Sequence, residues 1–288
     1  MITIKVPATS ANLGPGFDCL GLALSPSDTF LIEPSDKDIL DNVEERFNNR
    51  DNLFLQAYRR GCEALHIQDH IHAVFQCGIP VSRGLGSSAA LIAAGLAAAS
   101  VLHDSALSRD DIFELASEME GHPDNAAPAV YGGLNACMKE NGRYHRVSLP
   151  LSDVFHYTVF IPDHEVSTAE ARSILPDEYP RAAASGNTAH AILLVHALET
   201  GNIHLLHEAA HDIIHEPYRS RLIPRFDQAR DCALSHNSGA FLISGSGSTC
   251  LLISDTDLYP ASRKEILAYT DPSWDVFSCT ISQGLEIL

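Results

Sequence analysis

The segment that most constrains the fold is Pro80-Val-Ser-Arg-Gly-Leu-Gly-Ser-Ser-Ala-Ala90, which runs without a break into the small-residue stretch 91–102. Its glycines allow backbone conformations closed to other residues, and its serines favour the start of a helix, predicted over residues 88–102. The alanines of that helix suit close packing on a sheet. A helix N-terminus leaves N–H groups unpaired and carries a partial positive charge, so such a loop can cradle an anion without a lysine. The same composition also suits a plain cap on a buried helix, and the segment alone does not name the anion.

Two further loops share its character. Pro7-Ala-Thr-Ser-Ala-Asn-Leu-Gly-Pro-Gly-Phe-Asp18 follows the first apolar run, and Ser244-Gly-Ser-Gly-Ser-Thr249 lies between two apolar runs. Each reads as a tight turn at a strand end, where backbone donors can converge on a ligand. Three such turns in one chain point to a shared cleft. No G-x-x-x-x-G-K-[ST] occurs, which excludes a Walker loop, and the H-R-D and D-F-G sequences of protein kinases are absent. Gly84-x-Gly86-x-x-Ala89 fits a relaxed dinucleotide fingerprint, but no strand ending in an acidic residue follows at the distance a Rossmann unit requires.

Charge limits the ligand further. The 288 residues include 37 acidic and 19 basic side chains, a formal net charge of −18. That field repels nucleic acid and anionic membrane, so neither is expected as a partner. An anionic ligand must be held by a few placed arginines, by backbone N–H groups or by a metal. The seven cysteines are scattered, with no C-x-x-C pair, and read as reduced thiols. The alternating N-terminus lacks a signal-peptide pattern, and the longest apolar stretch, 89–102, is too short to span a bilayer. The expected address is the cytoplasm.

Strands are predicted over residues 2–6, 30–33, 72–77, 157–161, 240–244, 249–253 and 276–281. Helices are predicted over 53–65, 88–102, 109–120, 188–200, 203–214 and 224–236. The absence of a strict β-α-β-α rhythm argues for an α+β fold. A boundary near residues 150–156 divides the chain into expected domains 1–153 and 154–288.

In their order and sequence, the three glycine-serine segments resemble the three motifs of the GHMP small-molecule kinases, and the first segment is similar to the homoserine kinase form within that group. The resemblance implies an N-terminal two-layer α/β domain, a C-terminal ferredoxin-like domain, and transfer of the ATP γ-phosphoryl group to the side-chain hydroxyl of L-homoserine, a step of threonine biosynthesis. It implies that Pro80, Val81, Ser82, Arg83, Gly84, Leu85, Gly86, Ser87, Ser88, Ala89 and Ala90 wrap the phosphates, that Asn52 approaches the adenine, and that Ser88 and Glu114 hold Mg²⁺. The acceptor would be held by Asn12, Asp18, His122, Thr168, Arg172 and Arg219, with Asn125, Asn12 and His122 at the transfer step. Two arginines can clamp a carboxylate, and an aspartate pairs with an ammonium group. Asn125 stands where some relatives carry an aspartate base, so no strong protein base is expected, with Asp124 next to it as the alternative. The third segment departs from the family pattern at Ser248, where proline is common. A homodimer is allowed by this reading and not required by it.

Two residue-level readings stand apart. On the predicted helix 109–120, Ile112, Leu115, Ala116 and Met119 form an apolar stripe with Glu114 on the opposite side. His207-Glu208-Ala209-Ala210-His211 satisfies H-E-x-x-H, and His204 and His215 extend it into a stripe that on one continuous helix would suit a zinc hydrolase.

Overall fold

The computed structural model describes residues 1–258, 264–265, 267–268 and 273–288. The N-terminal apolar runs form β1 (Ile2–Ala11), β2 (Leu20–Ser35), β3 (Ile39–Asp41) and β4 (His70–Gln76), and a hairpin adds β5 (Leu134–Glu140) and β6 (Arg143–Leu149). β2 is the branch of this sheet. Its first residues, Leu20–Leu22, pair with β5, whereas Thr29–Ser35 pair with β4. β1 lies antiparallel along its other edge, with a register shift between Pro7 and Ala8. One strand can therefore serve two neighbours on the same side.

Four helices pack with this sheet: α1 (Leu53–Ala64), α2 (Ser87–Leu102), α3 (Arg109–Glu120) and α4 (Ala126–Tyr131). α2 is apolar on every side and packs against α1, α3, α4 and the sheet, as a helix without a polar face must. Its small residues let it come close. A methyl group at Gly95 would sit 2.2 Å from the Phe54 carbonyl of α1. Phe30, Phe54 and Phe75 form an aromatic triplet, with centroids 4.9 to 5.2 Å apart, between β2, α1 and β4.

The second sheet contains β7 (His156–Ile161), β8 (Gly239–Ile243), β9 (Cys250–Ser254) and β10 (Asp275–Cys279), all antiparallel in the order β10-β7-β9-β8. This is the ferredoxin-like strand order. Between β7 and β8 the chain forms α5 (Thr168–Ser173), α6 (Arg181–Thr200), α7 (Ile203–Ala209), α8 (Glu216–Arg219) and α9 (Phe226–His236). A second apolar cluster, including Phe160, Phe226, Phe241 and Trp274, fills the space between α9 and this sheet. The two sheets part between β6 and β7, but β11 (Glu286–Ile287) returns to pair with β1. The chain end thus closes onto the first sheet.

Among the expected helices, two differ most from the sequence reading. α6 begins at Arg181 directly after Pro180, well before residue 188. The helix expected over 203–214 stops at Ala209, because the Asp212 carboxylate accepts the backbone N–H groups of Ile214, His215 and Glu216 and turns the chain. His211 therefore lies beyond the helix that carries His207. The His207 imidazole bonds the Gly239 carbonyl, His211 packs against His190, and no group of three metal-ligating side chains occurs among the described residues. The zinc-site geometry does not form. Nor is any helix among the described residues long and apolar enough to cross a membrane.

Candidate active site

The three glycine-serine loops are laced to one another by main-chain hydrogen bonds. The Thr9 N–H donates to the Leu85 carbonyl at 3.0 Å, Gly245 N–H to Ala11 at 3.0 Å, and Thr249 N–H to Arg83 at 2.9 Å. Ser244 Oγ adds a bond to the Gly84 carbonyl at 2.7 Å, and Asn12 Nδ2 one to Gly245 at 2.7 Å. Such close approach leaves no room for side chains. Gly84 has φ +80°, and a Cβ there would lie 2.3 Å from the Ser244 carbonyl oxygen.

Beside the laced loops lies a cleft of about 580 Å³. Val81 to Ser88 line its middle. α2 starts at Ser87, one residue before the expected position, with Gly86 as a left-handed N-cap that offers no side chain. The N–H groups of Ser87, Ser88 and Ala89 have no partner within the helix. Ala90 differs, because its N–H is already bonded to the Gly86 carbonyl. Pro80, which has no N–H, and the buried side chains of Ala89 and Ala90 do not line the cleft. Of the segment 80–90, residues 81–88 line the cleft.

At one end the cleft is lined by residues the sequence reading passed over, among them Asn42, Phe47, Leu53, Phe75 and Cys77. Asn52 is there too. Its Oδ1 caps α1 by accepting the N–H groups of Phe54 and Leu55, and its Nδ2 donates to Phe47, which leaves one amide hydrogen uncommitted. Asp28 anchors the entry to the loop before α2 by accepting the N–H groups of Gly78 and Ile79 at 2.8 and 2.9 Å. Burial pushes its pKa up to about 6, against the opposing effect of those two bonds.

The structure does not bring Glu114 to Ser88. Glu114 faces β6, where its carboxylate accepts the Tyr144 N–H at 3.4 Å, and it does not line the cleft. The carboxylate bonded to the Ser88 hydroxyl is Glu120. The two glutamates are six residues apart, about 240° around a helix. The buried stripe of α3 is also rotated from the one expected, running through Ile112, Phe113, Ala116 and Ser117. Glu120, four residues after Ala116 and seven after Phe113, continues that stripe to the helix end. Burial raises its pKa, and the Ser88 hydroxyl bond only partly offsets this.

At the other end of the cleft, Arg172 makes two bonds to the Asp18 carboxylate, at 2.7 and 3.1 Å. Arg219 is buried, with Nε bonded to the Ala171 carbonyl and Nη1 to Gly245, each at 3.1 Å. Burial and the neighbouring Arg172 push its pKa down to about 10. Both guanidinium groups lie near the Phe17 ring, at 5.7 and 5.0 Å from its centroid. Thr168 lines the same wall. Asn12 Oδ1 accepts the Asp18 N–H, fixing the turn that carries both residues. His122 bonds the Asp124 carboxylate at 2.6 Å, and Asn125 Oδ1 accepts the Thr9 hydroxyl at 2.7 Å. Burial pulls the His122 pKa down, but the bond to Asp124 and the nearby Glu120 raise it overall.

The sequence matches the GHMP kinases N terminal domain over residues 52–133 and the GHMP kinases C terminal domain over 194–268. It is 40% identical to the homoserine kinase of Nostoc punctiforme over 263 residues, covering 88% of this chain and 86% of the relative. Identity to the homoserine kinase of a Clostridium botulinum strain is 34% over 281 residues, covering 96% and 94% of the two chains. The crystal structure of homoserine kinase from Cytophaga hutchinsonii superposes with a TM-score of 0.87 at 30% identity, covering 100% of this chain and 97% of the other. The chain belongs to the GHMP kinases and, within them, to the homoserine kinase family.

Asp28 gives a pH test of the loop anchor. Its raised pKa means that the folded chain holds a proton more tightly than the unfolded chain between the two pKa values, so this group's contribution to stability falls as pH rises through that window. Asp28→Asn keeps an acceptor for Gly78 and Ile79 but does not titrate. Between about pH 5 and about pH 7.5 the unsubstituted protein should lose on the order of 1 kcal/mol more stability than the variant, read by urea unfolding at both pH values.

Proposed function

We propose that this chain transfers the γ-phosphoryl group of ATP to the side-chain hydroxyl of L-homoserine, yielding O-phospho-L-homoserine for threonine biosynthesis. The observation that carries the reading is the pairing of an anion cradle, Val81 to Ser88, with an acceptor end built from Asp18, Arg172 and Arg219 in the same cleft. A zwitterionic amino acid matches that end. Asp18 takes the ammonium group and the two arginines take the carboxylate, while Asn12 keeps Asp18 in place. The free N–H groups at the start of α2 bind phosphate oxygens, and Asn52 offers its remaining amide hydrogen toward the base.

Ser88 and Glu120 fit Mg²⁺ better than Ser88 and Glu114. Both are hard oxygen donors beside the phosphate loop, and the half-buried Glu120 carboxylate, hydrogen-bonded to the Ser88 hydroxyl, is partly desolvated, a cost that a cation there would relieve. Bound Mg²⁺ would neutralise charge on the phosphates during transfer. Asn125 and His122 orient the acceptor hydroxyl near the cradle. No side chain is assigned as a strong base, because Asn125 cannot ionise and Asp124 is already bonded to His122. Positioning and charge neutralisation then supply most of the rate. The seven cysteines are all free thiols, which agrees with a cytoplasmic location.

The test is ADP release with Mg-ATP across L-homoserine, L-serine, L-threonine and mevalonate. Turnover should be fastest with L-homoserine; turnover of another alcohol in its absence would overturn the acceptor assignment. The metal assignment is checked in the same assay by titrating Mg²⁺. Glu120→Gln should lower kcat by about a hundredfold or raise the Mg²⁺ requirement, whereas Glu114→Gln should stay within about twofold of the unsubstituted protein. The reverse ranking would restore Glu114.

A further inference from the structure

One member of the histidine stripe, His215, has a place in the structure that neither the zinc reading nor the cleft accounts for. It is completely buried and immediately precedes α8, which carries Arg219. Its Nε2–H donates to the Gly14 carbonyl at 2.8 Å, and its ring stacks on Phe17 with centroids 5.3 Å apart and planes 27° from parallel. Gly14 and Phe17 both belong to the loop between Asn12 and Asp18. The Phe17 ring is also the one against which Arg172 and Arg219 lie. One imidazole therefore touches the loop that presents Asp18 and the aromatic surface shared by both guanidinium groups.

The surroundings hold His215 in turn. Asp212 accepts the backbone N–H groups of His215 and Glu216, each at 2.7 Å. Asn187 bridges the loop to the same segment, donating to the Pro15 carbonyl at 2.9 Å and accepting the Ile213 N–H at 3.1 Å. A Cβ at Gly14 would come within 2.8 Å of the Ala210 carbonyl, so the loop is pressed directly onto this support. Burial lowers the His215 pKa against the opposing pull of Asp212, which keeps the imidazole neutral. A neutral ring with its proton on Nε2 is the form that donates to Gly14 and adds no third positive charge beside the arginines.

We infer that His215 is a positioning residue for the acceptor end of the cleft: through Gly14 and Phe17 it fixes the loop 12–18 and sets Asp18 in register with Arg172 and Arg219. The inference rests on the reading of those three residues as the acceptor site. None of the His215 contacts involves the phosphate loop, so its influence should fall on the amino acid and not on the nucleotide. A supporting shell of this kind acts by holding charged groups in their productive geometry, which a ligand otherwise has to impose on binding.

Two substitutions separate the two contacts. His215→Phe keeps a ring against Phe17 and removes the donor; His215→Gln replaces the donor and removes the ring stack. With the full-length protein, His215→Phe should raise the KM for L-homoserine by about tenfold or more and leave the KM for Mg-ATP within about twofold, and His215→Gln should recover part of that loss. If His215→Phe fails to fold, Phe17→Leu, which removes the stack from the other side, decides the matter by the same selective rise. Equal shifts in both KM values, or a lower melting temperature with unchanged KM values, would mean that His215 serves only the core and would overturn the inference. Absence of turnover with L-homoserine in the unsubstituted protein, by contrast, would refute the acceptor reading itself and this inference with it.

Discussion

The organisation of the molecule depends on three main-chain hydrogen bonds, from Thr9 to Leu85, from Gly245 to Ala11 and from Thr249 to Arg83. They join the end of the first strand, the loop before α2 and the hairpin of the second sheet into one unit. Because the bonds are made by backbone, the chain must supply residues with little or no side chain where the loops meet, and this explains the glycines and serines. The same requirement leaves backbone N–H groups facing the cleft. On the proposed reading, the compact junction and the anion cradle are two results of one packing solution.

Around that junction the electrostatics are local. A net charge of −18 offers no general attraction to ATP, so discrimination depends on what individual groups are bonded to. Arg172 is tied to Asp18, and Arg219 is held by two carbonyl groups, so both cations are fixed before any ligand arrives. Glu120 has no cation as hydrogen-bond partner and is bonded to a serine hydroxyl. On the proposed reading, that contrast suits one part of the cleft to a zwitterion and another to phosphate with a divalent cation.

Much of this was legible in the sequence where local chemistry decides structure. The helix Arg109–Glu120 has the expected bounds because Ser108 and Asp111 form a reciprocal cap and Gly121 ends it in a left-handed conformation. The three loops were legible through their glycines. The hairpin of β5 and β6 was missed although Asn141-Gly142, both with positive φ, is a strong two-residue turn signal. Other features depend on contacts distant in sequence. Nothing local announces that Asn42, Phe47 and Leu53 line the cleft, or that Asp212 halts α7. Glu114 is implied by the resemblance alone, and an apolar stripe drawn through Leu115 and Met119 could not point to Glu120; packing instead buries the face of Phe113 and Ser117, which Glu120 continues.

The central claim, that close backbone approach at Gly84 creates the nucleotide cradle, can be tested by comparing Gly84→Ala with Gly142→Ala. Both positions have similar positive φ, +80° and +78°, but an added methyl group collides with Ser244 and Gly247 at Gly84 and meets nothing within 4 Å at Gly142. The strain of a left-handed alanine, about 1 kcal/mol, is therefore common to both variants. Titration calorimetry with Mg-ATP should show affinity reduced by at least about tenfold in Gly84→Ala and unchanged in Gly142→Ala. Unchanged affinity in a folded Gly84→Ala protein would contradict the account.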